Sequence, residues 1–423
     1  MASWCDDTAT ADKAEKARAL NIFPLDASNA SLLDAVRPLE WKDGERNDYD
    51  IVVIGAGAGG LVTAKQAGRR GFNSAMISEH LAGGDCLNVG CVPSKALLHC
   101  AKVAREAQSA VAEGILVSGD GGAAPALAVD FGAVMSRMRR LRAKIAPADA
   151  HTATVGAGAD VYQGRGVFTG PTTVAVNGKT LRFKKACIAT GGRASVPSPA
   201  QMPGLAAAPY LTNATLFNLT QLPPRLVILG AGAVGLEMAQ AFACFGAKVT
   251  VVTRSTVLSH ESTEARLAVQ RALEQDGVEF VVGATISSVE TLRAGGGAYG
   301  QHGTEWPLMR VTAAVAEPSA VGTKRPLDGA SSNPTASTTL ECEALLVATG
   351  RTPNTAGLGL ELAGIEHGPC GIVIDELACT TNPNVYAVGD CAAGVPRFTH
   401  VRYVARHTPL THACPMHAHT PSF

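Results

Sequence analysis

Two cysteines five positions apart, Cys86 and Cys91, lie in the stretch Gly83-Gly84-Asp85-Cys86-Leu87-Asn88-Val89-Gly90-Cys91-Val92-Pro93-Ser94-Lys95. In a regular helix that offset turns the side chains about 140° apart and leaves the Cα atoms beyond the ~7 Å reach of a disulfide. A bond between them needs a distorted turn, which Gly90 and Pro93 can supply. A strained disulfide is easily reduced, so the pair reads as chemistry rather than as a staple. The other reading is a helix start carrying two unrelated buried thiols, since cysteine is a common core residue.

A second set of residues points to nucleotide binding. The apolar run Tyr49-Asp50-Ile51-Val52-Val53-Ile54 leads into Gly55-Ala56-Gly57-Ala58-Gly59-Gly60 and then an Ala-rich helix to about Arg70. Glycines at 55, 57 and 60 let the backbone turn tightly and approach a pyrophosphate, whose charge suits a helix N-terminus. A further strand over 73–78 ends at Glu79, about 20 residues past the last fingerprint glycine, where an acid bonds a ribose hydroxyl. The pattern then repeats: a strand over 225–229, the fingerprint Gly230-Ala231-Gly232-Ala233-Val234-Gly235, a helix over 236–245 and a strand over 248–253. No acid closes this second unit. Arg254 stands there, suited either to a 2′-phosphate, which favours NADPH over NADH, or to plain water.

Between the repeats, helices are expected over 96–113 and 131–145, the second reading as a solvated basic face with Arg137, Arg139, Arg140, Arg142 and Lys144. Short strands are expected over 161–169, 173–176 and 180–189, ending in Ala189-Thr190-Gly191-Gly192. Segments 294–300 and 317–339 are rich in small and polar residues and read as insertions without a fixed fold. A strand over 344–348 precedes Thr349-Gly350-Arg351-Thr352-Pro353-Asn354. The echo of Ala-Thr-Gly places Gly350 among the cofactor-binding glycines and suggests a return to the first domain. A last strand, 384–388, delivers Gly389-Asp390 at its carboxyl end, where ligands bind in such sheets. The fold class is therefore α/β: two doubly wound Rossmann-like dinucleotide-binding domains, the second inserted in the first. The boundaries are 1–47 as an N-terminal extension (a short helix or docking arm), 48–222 and 344–401 for the first domain, 223–343 for the second, and 402–423 as an irregular tail.

Composition narrows the function classes. The 423 residues carry 36 basic and 36 acidic side chains, so no global field draws the chain to nucleic acid or an anionic membrane. No apolar run approaches the length of a membrane span. Eleven cysteines are too few for a disulfide-scaffolded secreted domain of this length. Cys187, Cys244 and Cys342 read as small hydrophobes. With no signal peptide and an acid-containing N-terminus, the expected setting is a reducing compartment, the cytoplasm first, with an organelle left open.

Taken together, these motifs resemble the class I pyridine nucleotide-disulfide oxidoreductases, over about residues 49–401. Gly-Gly-Asp-Cys-Leu-Asn at 83–88, Glu237-Met238-Ala239-Gln240-Ala241-Phe242, residues 249–255 and Phe398-Thr399-His400-Val401 are most similar to the mercuric reductase-like branch, with dihydrolipoamide dehydrogenase the near alternative. The resemblance implies FAD in the first site and a nicotinamide nucleotide, NADPH or NADH, in the second. Glu79 would hold the adenosine ribose, Gly166, Thr190 and Gly191 the adenine side, and Asp390 the ribityl chain. Cys91 would be the charge-transfer thiol beside the flavin and Cys86 the interchange thiol that meets a disulfide, lipoamide or mercuric ion. Lys95 would sit near the flavin and pair with Glu237 across the two domains; the plain alternatives are a snorkelling lysine and an exposed glutamate.

The sequence departs from the family at its end. Family members are homodimers whose further domain supplies a His and Glu pair to the partner's active site, but no acid follows Asp390 here. Loss of such a positioned base costs roughly 10²–10⁴-fold. The tail with His407, His412, Cys414, His417 and His419 reads as an unfolded terminus rather than a metal site, and the paired C-terminal cysteines of mercuric reductases are missing. A catalytically silent nucleotide-binding fragment with a regulatory or interaction role is the competing expectation.

Overall fold

The computed structural model describes residues 7–115, 128–296, 305–315 and 336–395. The described residues divide into two compact units, drawn from Met1–Cys91, Arg142–Arg193 and Arg351–Phe423 for the first, and from Val92–Leu141 and Ala194–Gly350 for the second.

In the first unit, β1 (Asp48–Ile54) enters the glycine turn, α1 (Ala58–Arg69) leaves it, and β2 (Ser74–Ile77) returns parallel to β1. The short helix α2 (Gly84–Asn88) and the start of α3 (Cys91–Ala112) follow. Strand β3 (Ala159–Tyr162) joins β2 in parallel, and β4 (Lys179–Ile188) lies parallel to β1 on its other side. The resulting order β3-β2-β1-β4 is extended by the strand Val385–Ala387, parallel to the end of β4, and by an antiparallel pair, Val167–Gly170 and Thr173–Val176. Val52, Ile54, Ile77 and Ile188 are buried in one cluster on this sheet. Full burial of such a side chain is worth about 1.5–3 kcal/mol, so β-branched residues on consecutive strand positions both form the strands and hold the layers on either face.

The second unit repeats the plan. Strands β5 (Arg225–Leu229), β6 (Lys248–Thr253) and β7 (Val278–Val282) run parallel, with α4 (Ala233–Cys244) between β5 and β6. Strand β8 (Ala344–Val347) completes the order β7-β6-β5-β8, matching the first sheet strand for strand. An antiparallel sheet of Ala284–Arg293, Leu308–Val315 and Ala336–Cys342 packs through Ile286, Val289, Met309 and Val311 into a core with Val227, Val252 and Leu345. Cys342 is in this core too, and Cys187 and Cys244 are likewise buried, each packed as a small apolar side chain.

Several sequence expectations need correction. Ala344–Val347 pairs with Arg225–Leu229, so the strand belongs to the second sheet and the return to the first unit comes after Gly350, not at 344. Local composition cannot show which of two similar sheets a strand will join. The expected strand over 161–169 is two strands, interrupted by a loop that carries Arg165 and Gly166. Helix α3 starts at Cys91 rather than at 96, because a proline in the first turn needs no N–H partner. The strand Ala336–Cys342 takes the last residues of the segment 317–339, whose remainder through 335 lies outside the described residues, as do 297–300 of the segment 294–300 and the whole tail 402–423. The helix Phe131–Ile145 has the expected bounds, but its basic side chains are not all solvated: Arg139 and Arg142 are buried.

The segment before β1 is folded onto the first unit. Its helices are Asp7–Ala19 and Ala27–Val36; Asp26 caps the second by accepting from Asn29 N–H at 2.9 Å, and Leu32, Leu33 and Val36 are buried. Trp41 donates from Nε1 to the Val161 carbonyl at 3.0 Å and faces His151, with ring centroids 4.9 Å apart. His151 is fully buried with neither ring nitrogen hydrogen-bonded among the described residues. Burial first, then the charges of Arg37 and Lys16, push its pKa down to about 4, against an opposing pull from Asp43.

This histidine gives the fold a pH dependence. Its folded pKa is below the unfolded value near 6.5, so below that pH the unfolded chain takes up the proton first and stability falls towards the folded pKa of about 4. Between pH 7 and pH 5 the expected loss from this residue is about 2 kcal/mol. Urea denaturation followed by tryptophan fluorescence at the two pH values should show it, and His151→Phe should flatten the difference.

Candidate functional site

The two glycine turns are built alike. Gly55 and Gly230 have φ of +112° and +105°, and a Cβ on either would lie 2.3 Å from the Ala189 carbonyl oxygen or 2.4 Å from that of Ala348. A Cβ on Gly60 would lie 1.8 Å from the Gly55 carbonyl oxygen, and one on Gly235 2.4 Å from that of Gly230. These are backbone atoms that cannot swing aside, so side chains are excluded at all four positions. Gly57 and Gly232 are the N-caps of α1 and α4, which begin without a side-chain cap. Each turn therefore leaves helix N–H groups facing the carboxyl edge of its sheet, an arrangement that fits a pyrophosphate.

In the first unit the cysteine stretch is seated on its glycine turn. Gly83 N–H donates to the Ala56 carbonyl at 2.9 Å, and a Cβ on Gly84 would come within 2.7 Å of the Gly57 Cα. Cys86 lies inside α2, and Cys91 is the first residue of α3; the break at Val89 and Gly90 is the distorted turn that the spacing requires. Gly90 passes so close to the preceding helix that a Cβ would lie 2.7 Å from the Asp85 carbonyl oxygen and 3.5 Å from the Cys86 Cα. Both sulfur-bearing residues are half-buried.

Arg351 ties this stretch to the end of the sheet. Its guanidinium donates to the Asp390 carboxylate at 2.8 Å and to the Gly192 carbonyl at 2.8 Å, and is ion-paired with Asp85, the residue before Cys86. Burial opposes its charge, but Asp85 and Asp390 outweigh burial and hold its pKa above the usual arginine value. Asp390 itself is only 7% exposed, at the carboxyl end of the strand Val385–Ala387. Sequence reasoning had not assigned Arg351 or Asp85 a role. The position of Arg351 directly after the second Thr-Gly was the available signal.

The remaining first-unit residues cluster along the same edge. Glu79 follows β2 and is 41% exposed, paired with Arg165 at 2.8 Å. Gly166 comes next to Arg165, and its Cα side faces Ile77 and Ile54 at 3.0 and 3.3 Å from a would-be Cβ. Thr190 donates from Oγ1 to the Asn354 carbonyl at 2.7 Å, and Asn354 N–H returns a bond to the Gly191 carbonyl at 3.0 Å. Asn354 is a third residue of this edge that the sequence left unassigned.

In the second unit, Lys95 and Glu237 form an ion pair at 2.5 Å, with side chains 63% and 33% exposed. The expected pair is thus present, with both residues in the compact unit that groups 92–141 with 194–350. Glu237 lies in the first turns of α4, just after Gly235. Arg254 follows β6 directly and is exposed. Gly350, at φ +135°, accepts from Ser195 N–H at 2.9 Å.

Known proteins of similar sequence and structure include flavoprotein and mercuric reductases. Two mercuric reductases are similar: that of Bacillus cereus is 32% identical over 84% of this chain and 50% of its own length, and that of Streptomyces lividans 34% identical over 84% of this chain and 67% of its own. A dihydrolipoyl dehydrogenase from Acholeplasma laidlawii is 30% identical over 81% of this chain and 90% of its own length. Against the first mercuric reductases the chain spans only 50–58% of their length. Among solved structures, the HOCl-induced flavoprotein disulfide reductase RclA from Escherichia coli superposes with a TM-score of 0.64 at 25% identity, covering 84% of this chain and 69% of that one. No helix among the described residues is long and apolar enough to cross a membrane. The cofactors of the matching family are FAD and NAD(P)H. With its model matched over residues 49–406, the chain belongs to the pyridine nucleotide-disulphide oxidoreductase family.

Proposed function

We propose that this chain passes electrons from NAD(P)H by way of FAD to a Cys86–Cys91 disulfide, and from there to a small disulfide, lipoamide or a mercuric ion. The observation that carries the reading is the seating of Gly83 and Gly84 on the first glycine turn, with Arg351 joining Asp85 to Asp390. A nucleotide turn, two cysteines and a buried carboxylate then share one edge of one sheet.

The first unit's residues fit FAD: Gly55, Gly57 and Gly60 at the pyrophosphate, Glu79 at the adenosine ribose, Gly166, Thr190 and Gly191 at the adenine side, and Asp390 at the ribityl chain. FAD, when bound, supplies a carrier that exchanges an electron pair between a nicotinamide and a disulfide. Cys91 opens a 22-residue helix, where aligned peptide dipoles favour negative charge on sulfur. Cys86, on the far side of the turn, is the thiol for the substrate: as thiolate it attacks a disulfide sulfur, forming a mixed disulfide and releasing the other sulfur as a thiolate that water protonates. Cys91 then attacks Cys86 to re-form the pair and release the second thiolate; alternatively Cys86 binds a soft metal ion. Gly230, Gly232 and Gly235 hold the nicotinamide nucleotide in the second unit, and Glu237 fixes Lys95, four residues beyond Cys91. Arg254 supports NADPH over NADH, since a guanidinium matches the 2′-phosphate.

Anaerobic addition of NADPH to the FAD-loaded chain should bleach the flavin and raise a long-wavelength band that is missing in Cys91→Ala; a chain that takes up no flavin sinks the reading. Replacing Arg254 with Gln should raise KM for NADPH about tenfold, the size of one lost charge-assisted contact, and leave KM for NADH almost unchanged. Equal effects on both nucleotides would remove Arg254 from the 2′-phosphate.

A further inference from the structure

The residues before β1 lie outside the matched region 49–406, yet they reach the stretch that carries Glu79 and Cys86. Val36 accepts from Ala82 N–H at 3.0 Å, and Arg37 donates from Nη1 to the Ser78 carbonyl at 2.6 Å. Deeper in, Asn29 is fully buried and accepts at Oδ1 from Arg142 Nη2 at 2.6 Å. Arg142, 1% exposed, donates from Nη1 to the Asn88 carbonyl at 2.7 Å. Asn88 in turn donates from Nδ2 to the carbonyls of Ala82 at 3.0 Å and Gly84 at 2.9 Å, closing a ring around α2.

The Asn88 carbonyl is at the C-terminal end of α2, where helix carbonyls are left without intrahelical partners and carry partial negative charge. Arg142 satisfies that carbonyl and sets a buried cation there, two residues from Cys86 and three from Cys91 in the chain. Asn29 is a neutral acceptor that orients the guanidinium over the end of α2. A fixed cation in low dielectric stabilises a thiolate more than a disulfide, which favours the reduced form of a nearby couple.

We propose that Asn29 and Arg142 are positioning residues for the Cys86–Cys91 couple: the N-terminal segment locks the end of the Cys86 helix and holds a cation against it, poising the pair towards the dithiol. The proposal rests on the preceding reading that these cysteines form a disulfide couple. The balance measured is disulfide plus two glutathione giving dithiol plus glutathione disulfide, so no further oxidant enters.

The full-length chain is equilibrated in glutathione buffers and the oxidised fraction of the pair is read by alkylation and mass spectrometry. Arg142→Met should shift the equilibrium at least tenfold towards the disulfide, Arg142→Lys, which keeps the cation and loses the fork, by two- to fourfold, and Asn29→Ala by a similar small factor in the same direction. Arg140→Gln, an exposed neighbour on the same helix, should leave it unchanged. If Arg142→Met does not fold, Arg142→Lys and Asn29→Ala decide. An equilibrium unmoved in the folded variants, or moved equally by Arg140→Gln, overturns the proposal alone. A wild-type chain whose Cys86 and Cys91 form no disulfide in any buffer overturns the preceding reading with it.

Discussion

Backbone crowding at the glycine turns is the constraint on which the rest depends. At Gly55 and Gly230 the chain must turn with positive φ beneath the carbonyl of the neighbouring strand's end, and at Gly60 and Gly235 the departing helix must cross over that same turn. A single methyl group at any of the four would overlap a backbone atom. The reward is two helix N-termini aimed at the carboxyl edges of two parallel sheets. In the first unit the crowding extends one layer further: Gly84 rests on Gly57, so the distorted turn between Cys86 and Cys91 can be nowhere else than beside the fingerprint.

Charge then does different work in different surroundings. Lys95 and Glu237 are substantially exposed, and an ion pair of that kind is worth at most about 1 kcal/mol. Its value lies in where it holds Lys95 and not in stability. Arg351 is a half-buried cation and Arg142 a buried one, and leaving the buried guanidinium without its oxygens would cost several kcal/mol. Each is met by oxygens from distant parts of the chain: Asp85, Gly192 and Asp390 for the first, Asn29 and Asn88 for the second. Both converge on the same five-residue helix, α2, one through the residue before Cys86 and the other through its last carbonyl. A helix too short to be stable alone is thus fixed from both ends.

Much of this architecture was legible in the sequence because it is written at short range. The strands Arg225–Leu229 and Lys248–Thr253 and the helix Phe131–Ile145 have the bounds that periodicity and glycine punctuation indicate. The duplication of strand, glycine turn, helix and strand announced two doubly wound sheets, and a five-residue offset between cysteines announced a broken helix between α2 and α3. Such signals depend on covalent spacing, which folding cannot alter.

What the tertiary structure alone decided is the choice among distant partners. Ala344–Val347 reads as an apolar strand in either sheet, and only its pairing with Arg225–Leu229 assigns it to the second. Arg142 sits in a run of basic residues that composition marks as solvated, yet it is buried and bonded to Asn29 and Asn88. Arg351 directly follows an Ala-Thr-Gly echo that says nothing of Asp85, 266 positions away. The physical reason is the same in each case: a strand edge or a cation fixes what kind of partner it needs, while which partner it gets depends on the register and burial of elements far apart in the chain.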